Sequence, residues 1–292
     1  MNTAVDLVDL SRRFEADRGR LKSVALQLLG SVPDAEDAVQ AAWLKASRSD
    51  YAAVTNLTAW LTTITAHEAL DQLRARKRRA EQPLDAADER LVAPAADEDA
   101  LTADSVSRAL LVVLDRLPPA QRVAFVLHDV FAMPFETIAE LLDRTPAATK
   151  KLASRARGRL QPAPAAAAPR RAEHVQVVQA FLAASRDGDI DALVKLLAPD
   201  VVRTVDPSLV PPEVPVEMRG ARAVAEETRR FTDRACAGAV VLIDGRPGIA
   251  IAPAGRLLAL LRIAVGANNR IRVIDITGDP ERLRVAVLTL PS

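Results

Sequence analysis

The sequence predicts a chain of several domains, two all-α helical domains followed by an α+β domain. Three observations carry this. The 292 residues are about twice the length of a typical single domain. Two stretches without apolar period, one acidic and one of Pro and Ala, divide the chain. Apolar residues recur at helical spacing in the first two blocks, whereas the last block ends in β-branched runs separated by turn residues.

The composition agrees with this reading. Hydrophobic residues make up 49% and aromatics only 3%, so the cores must be built from Ala, Leu and Val, an inventory that favours helices. The single cysteine, Cys236, excludes an internal disulfide framework and a Cys-rich zinc site, and reads as a small buried side chain. No metal site, cofactor site or catalytic set emerges. No signal-peptide-shaped stretch opens the chain and no run of about 18 uncharged apolar residues occurs, so no membrane span is expected and the cytoplasm is the expected compartment.

A net charge of +1, from 39 basic and 38 acidic residues, conceals segregated charge. Arg74 to Arg79 reads RARKRR, with five cations. The stretch from Glu81 to Asp104 then carries eight acids against Arg90 alone and reads as a linker. Arg144 to Arg159 holds six cations and no acid, and Gln161 to Pro169, QPAPAAAAP, reads as a second linker. The expected domains are therefore 1–82, 105–161 and 172–289, with linkers at 83–104 and 162–171.

In the first block, Val5 to Phe14 and Leu21 to Leu29 are spaced as two helices, and Gly30 stops the second. Ser31 is the expected N-cap of a helix with Pro33 in its first turn. Asn56 caps a further helix whose apolar face is set by Leu57, Trp60, Leu61 and Ile64. Thr62, Thr63, Thr65, His67 and Gln72 offer a surface for an unpaired strand or a phosphate backbone, with Trp60 and Tyr51 as the large stacking faces. Trp60 also reads as a core anchor. In the second block, helices are expected up to Leu117, over Gln121 to Val130, over Pro134 to Leu142 and from Pro146 to about Leu160. The turn Asp143-Arg144-Thr145 precedes the last, which makes a helix-turn-helix. On that last helix Ala148, Leu152 and Ala156 form the expected buried stripe. Lys150, Ser154 and Arg157 lie opposite, flanked by Lys151 and Arg155, so that cations and a hydroxyl can reach phosphates and base edges in a major groove.

The third block opens with helices over Ala172 to Ala184 and Ile190 to Leu197. Another is expected over Arg222 to Arg234, before strands at 239–244, 248–252, 257–265 and 271–277. Its titratable candidates are His174, Asp206, Asp244 and Asp275. They form no acid–base pair, which argues against an enzyme.

Several of these segments resemble the extracytoplasmic-function group of bacterial RNA polymerase sigma factors. Asp34-Ala35-Glu36-Asp37-Ala38-Val39-Gln40-Ala41-Ala42-Trp43-Leu44 is similar to their region 2.2. Ala59-Trp60-Leu61 through Leu70-Asp71-Gln72-Leu73-Arg74 is similar to regions 2.3 and 2.4. Leu117 to Phe131, Pro134 to Ala139 and Ala153 to Arg157 resemble region 4. FVLHDVF (125–131), together with Phe181 to Leu193, Gly245 to Gly248 and Asp275 to Pro280, is similar to the subgroup with a C-terminal SnoaL-like, NTF2-like cone-shaped domain.

The resemblance implies a sigma factor, not an enzyme, and assigns roles by position. Asp34, Glu36, Asp37, Gln40, Trp43 and Leu44 would bind core RNA polymerase at the β′ clamp helices, with region 4 also on the β flap. Asn56, Trp60, Thr63, His67, Asp71, Arg74, Arg76, Lys77 and Arg78 would meet the −10 element. Thr149, Lys150, Lys151, Ser154, Arg155 and Arg157 would meet the −35 element. The C-terminal domain would modulate activity through contacts with the sigma domains, with or without a small-molecule ligand. A stand-alone helix-turn-helix regulator would not need residues 31–80, and a SnoaL-type enzyme would need the missing acid–base pair. The chain departs from the group's pattern at His67-Glu68, at Glu81 to Asp85 where a Trp-Leu-Pro-Glu-Pro type motif is expected, and at Val205 to Val210 where an Asp-Gly-Gly-Gly motif is expected.

Overall fold

The computed structural model describes residues 3–51, 54–80, 105–161 and 168–291. The acidic linker, residues 162–167 of the Pro/Ala linker and the Lys77 side chain lie outside the described residues. Two compact units result, one of residues 1–86 and 117–158, the other of residues 87–116 and 159–292. No described helix is long and apolar enough to cross a membrane.

In the first unit, α1 (Thr3–Leu29), α2 (Val32–Ala46) and α3 (Leu57–Ala80) pack on one another. The two helices expected before Gly30 are a single one. Asp17-Arg18-Gly19-Arg20 contains no proline, and Gly19 faces open space, so its cost of about 1 kcal/mol does not end the helix. Gly30 ends it at φ +76°. The Ser31 side chain then accepts from the Asp34 amide to start α2, as expected. On α3 the buried face is Leu61, Thr62, Thr65, Ala66, Ala69, Leu70 and Leu73, while Leu57, Trp60 and Ile64 are only half-buried. Thr62 and Thr65 therefore belong to the core, and they donate their hydroxyls to the Thr58 and Leu61 carbonyls.

The same unit contains α5 (Pro119–Phe125), a π-helical turn (Val126–Val130), α6 (Phe135–Leu142) and α7 (Pro146–Leu160), whose last two residues pass into the second unit. The π turn closes on a Phe131 amide donating to the Val126 carbonyl at 3.2 Å. It is braced by His128, which stacks on Phe135 with ring centroids 3.8 Å apart. Arg122 is 1% exposed and donates to the Gln27 carbonyl at the end of α1, which ties α5 to the first three helices.

The second unit is built on a seven-stranded sheet in the order β2-β1-β6-β5-β4-β3-β7. Its strands are β1 (Leu197–Val205), β2 (Glu217–Arg219), β3 (Gly238–Ile243), β4 (Arg246–Ile251), β5 (Ala259–Val265), β6 (Ile271–Thr277) and β7 (Leu288–Thr289). The meander β3 to β6 is antiparallel, as the turns between its strands predict, but β1 pairs with β6 in parallel. One face is covered by α8 (Ala168–Asp187), α9 (Ile190–Leu196) and α10 (Ala221–Thr228), around a core that includes Val178, Phe181, Leu193, Val224, Leu242 and Ile274. The helix expected over Arg222 to Arg234 is broken. A 3-10 turn (Arg229–Phe231) separates α10 from α11 (Thr232–Cys236), and the Thr228 and Thr232 hydroxyls donate to the Val224 and Arg229 carbonyls there.

β3 is buried at every position, because α4 (Ser105–Asp115) packs against it. Alternation along the strand sends Val240 and Leu242 into the helix-covered core and the intervening residues to the other face. Arg116, at the end of α4, donates to the Leu283, Arg284 and Ala286 carbonyls around α12 (Pro280–Val285).

Among the described residues no hydrogen bond joins two of this unit's titratable candidates, although Asp206 and Asp275 share Arg282. Asp244 opens the β3–β4 turn at φ 52°, with Gly245 at φ 80°, and accepts from the Val287 amide. This is the two-residue turn that its Asp-Gly sequence predicts. Asp275 accepts from Thr204 and pairs with Arg282. His174 is half-buried on α8, and Cys236 is half-buried where a buried side chain is expected.

Asp206 is more than the turn residue that Asp-Pro suggests, because its carboxylate accepts from Thr277 Oγ1, the Gly278 amide and the Asp279 amide at 2.7–3.0 Å. Burial works against its ionisation, but these three donors and Arg282 outweigh it and hold the carboxyl below the usual carboxylate range. The stabilisation is present above the unfolded value of about 4 and is lost as pH falls through the lower folded pKa. Asp206→Ala is expected to cost about 1–3 kcal/mol at pH 7. In urea denaturation followed by circular dichroism, the gap to the parent chain should close below pH 4; a gap independent of pH would show that the carboxylate charge is not involved.

Candidate nucleic-acid interface

The basic helix α7 is set by its turn. Asp143 adopts a left-handed conformation, φ 52°, after α6, and Thr145 Oγ1 accepts from the Ala148 amide at 3.2 Å. Pro146 occupies the first helical position, where a missing N–H costs nothing. The buried stripe is Thr149, Ala153, Ala156 and Leu160, with Ala148 and Leu152 only half-buried beside it. The expected stripe is thus rotated by about one residue, because Thr149 satisfies its hydroxyl on the Thr145 carbonyl at 3.1 Å and can enter the core. Thr149 is removed from the DNA-facing set by this burial.

Lys150, Lys151, Ser154 and Arg155 all stand exposed on the outer side. Arg157 does not share their freedom. It grips Asp129 on the π turn with two hydrogen bonds, of 2.7 and 3.2 Å, and so fixes α7 to the preceding helices.

A second surface lies along α3. Trp60, Thr63, His67, Asp71, Arg74 and Arg78 follow one another at intervals of three or four residues and so share one side of the helix over about 27 Å. His67, Asp71, Arg74 and Arg78 are exposed, and Trp60 and Thr63 are half-buried. Asp71 and Arg74 pair at 3.5 Å. Partial desolvation lowers the His67 pKa, against the pull of Asp71, so its ring is mainly neutral at pH 7. Asn56 acts as the N-cap, its Oδ1 accepting from the Ala59 amide at 3.0 Å. Arg76 leaves this surface: it donates to the Leu29 carbonyl and pairs with Asp34. The structure thereby joins two residues that the sequence assigns to different partners, DNA and polymerase.

Where the start of α3 meets the end of α2, an open pocket of about 470 Å³ is lined by Leu44, Lys45, Arg48, Ser49, Asp50, Trp60 and Ile64. The Tyr51 ring tilts against Trp60 with centroids 6.1 Å apart. Lys45, Arg48, Ser49 and Asp50 have no signal of their own in the sequence; only the return of the chain beside Trp60 groups them with it. Lys45 pairs with Glu68, which raises the Lys45 pKa and keeps it charged.

On α2, Glu36, Asp37, Gln40 and Leu44 are exposed on one face, with Leu44 47% exposed. Glu36 pairs with Lys22, which lowers its pKa and keeps it ionised. Trp43 turns inward and packs on Phe14, 5.0 Å between ring centroids. It supports this face rather than extending it.

A capped basic helix behind a three-residue turn, together with a second helix bearing an aromatic, polar and cationic stripe, defines a DNA-binding protein of the helix-turn-helix class. The comparisons narrow the class. The family model "Sigma-70 region 2" matches residues 13–79 and "Sigma-70, region 4" matches residues 107–160. The ECF RNA polymerase sigma factor SigJ of Mycobacterium tuberculosis is 44% identical over 225 residues, 72% of this chain and 69% of that protein. The crystal structure of the M. tuberculosis SigJ covers 94% of this chain and 98% of its own, at 34% identity and a TM-score of 0.45. The crystal structure of a SnoaL-like protein of unknown function from Burkholderia thailandensis covers 40% of this chain and 98% of its own, at 19% identity and a TM-score of 0.29. The chain belongs to the ECF RNA polymerase sigma factors and directs promoter-specific transcription, with an α+β domain following its helical regions.

Proposed function

We propose that α7 reads the −35 element and α3 the −10 element of the promoter. The observation that carries this is the exposed set Lys150, Lys151, Ser154 and Arg155 on a helix whose opposite side is buried. Such a helix can enter a major groove with its cations on phosphates and base edges. The α3 stripe from Trp60 to Arg78 suits DNA that is being opened. The pocket beside Trp60 can take an unstacked base between an aromatic face and the Arg48 and Lys45 cations.

Glu36, Asp37, Gln40 and Leu44 dock on the β′ clamp helices of core polymerase, and region 4 also seats on the β flap. The chain works in the cytoplasm beside that polymerase. It needs no cofactor and performs no chemistry of its own. The third domain modulates initiation, and the hold of β3 and the α12 carbonyls on α4 and Arg116 supports this, since α4 begins the region 4 match.

Reconstituted transcription tests the reading. The chain alone is expected to bind promoter duplex weakly, and core polymerase is expected to confer specific initiation. Tight, specific duplex binding without core would overturn it. A chain ending at Gln161 is expected to show altered promoter activity; unaltered activity in cells and in the reconstituted system would exclude a modulating third domain.

A further inference from the structure

We propose that the third domain binds a short-chain aliphatic alcohol, recognised through the Glu227 carboxylate. A cavity of about 110 Å³ lies between the sheet and its covering helices. Phe181, Leu182, Phe231, Ile249, Ile251 and Ile274 supply apolar lining. Such walls favour a largely apolar occupant, and the volume, under the roughly 150 Å³ that admits benzene, limits it to a short chain.

Into this apolar space the fold places an ion pair, Arg203 on β1 with Glu227 on α10, 4% and 8% exposed. Burying two charges is costly, and the charges here are only partly satisfied. Arg203 Nη1 donates to the Pro215 carbonyl at 2.8 Å and Nη2 faces Glu227 Oε2. Among the described residues Glu227 Oε1 is buried without a hydrogen-bond donor, and Arg203 Nη2 has no partner beyond the ion pair, so a hydroxyl can donate to the one and accept from the other. The two hydroxyls that line the cavity cannot serve it. Ser185 donates to the Phe181 carbonyl and Thr228 to the Val224 carbonyl, each at 2.7 Å. At the edge, Arg234 donates to the Leu209 carbonyl and lies 5.2 Å over the Phe231 ring. The cavity therefore offers one unsatisfied acceptor, Glu227 Oε1, while its own hydroxyl protons are committed to helix carbonyls. A ligand that brings one O–H and an otherwise apolar body completes it; a carboxylate would meet the Glu227 charge, and a hydrocarbon would leave Oε1 unsatisfied.

The proposal rests on the third domain alone and is independent of the promoter reading. Calorimetric titration of the full chain at pH 7 with 1-propanol, 1-chloropropane and propanoate tests it. 1-Propanol is expected to bind at least about tenfold more tightly than either of the others, as one hydrogen bond to a charged acceptor provides. Glu227→Gln should remove that preference, and Ala259→Leu, which fills the cavity from β5 and leaves the ion pair intact, should remove binding altogether. Equal binding of 1-chloropropane, tighter binding of propanoate, no binding of any probe, or 1-propanol binding that survives Ala259→Leu would each overturn the proposal.

Discussion

Lys150→Ala combined with Arg155→Ala is expected to lower transcription from a −35-dependent promoter by about 10²-fold while leaving the affinity for core polymerase unchanged. Each contact from such a side chain to a base edge or phosphate carries about 1–3 kcal/mol, and 10²-fold corresponds to about 2.7 kcal/mol. Both side chains are exposed and carry no ion pair among the described residues, so their removal leaves the helix intact. Arg157→Ala should behave differently. It removes the two-bond grip on Asp129 and is expected to lower the stability of the first unit as well as transcription. Transcription and core binding measured on the same preparations separate the two cases. Loss of core binding in the Lys150/Arg155 double variant would place this face of α7 on the polymerase instead.

Arg203→Met is expected to destabilise the third domain by about 3–5 kcal/mol, because it leaves the Glu227 carboxylate buried without its cation. Adding Glu227→Leu should recover much of that loss, since the double variant replaces a buried pair with apolar side chains. Both tryptophans, Trp43 and Trp60, lie in the first unit, so tryptophan fluorescence does not follow this domain. Hydrogen exchange of the β1 and β6 amides does. A double variant less stable than Arg203→Met alone would mean that Glu227 is held by something other than Arg203.

The order of elements is legible in the chain because it depends on local rules. Ser31, Asn56 and Thr145 sit where caps are expected, and each side chain accepts the expected amide. The Asp244-Gly245 turn needs two positive φ angles, which its sequence supplies. The exposed cations of α7 are legible for the same reason, as are the third domain's meander strands. Where local rules are silent the reading fails. Nothing near Gly19 says that α1 runs through it. Three-residue β2 and two-residue β7 are too short to leave a pattern. The parallel pairing of β1 with β6 joins residues about seventy positions apart.

The sequence by itself determined that this is a promoter-recognition protein with two helical regions and an α+β domain, since periodicity, caps, segregated charge and family motifs are written in neighbouring residues. Only the tertiary structure decided which of the named side chains are available. Thr149 is buried, Arg157 is bound to Asp129 and Arg76 to Asp34, while Lys150, Lys151, Ser154 and Arg155 stand in the open. Only the structure revealed the Arg203–Glu227 pair inside an apolar cavity. The physical reason is the same in each case. The partner of every such side chain is distant in sequence and is brought near by packing, and a charge's meaning depends on what faces it.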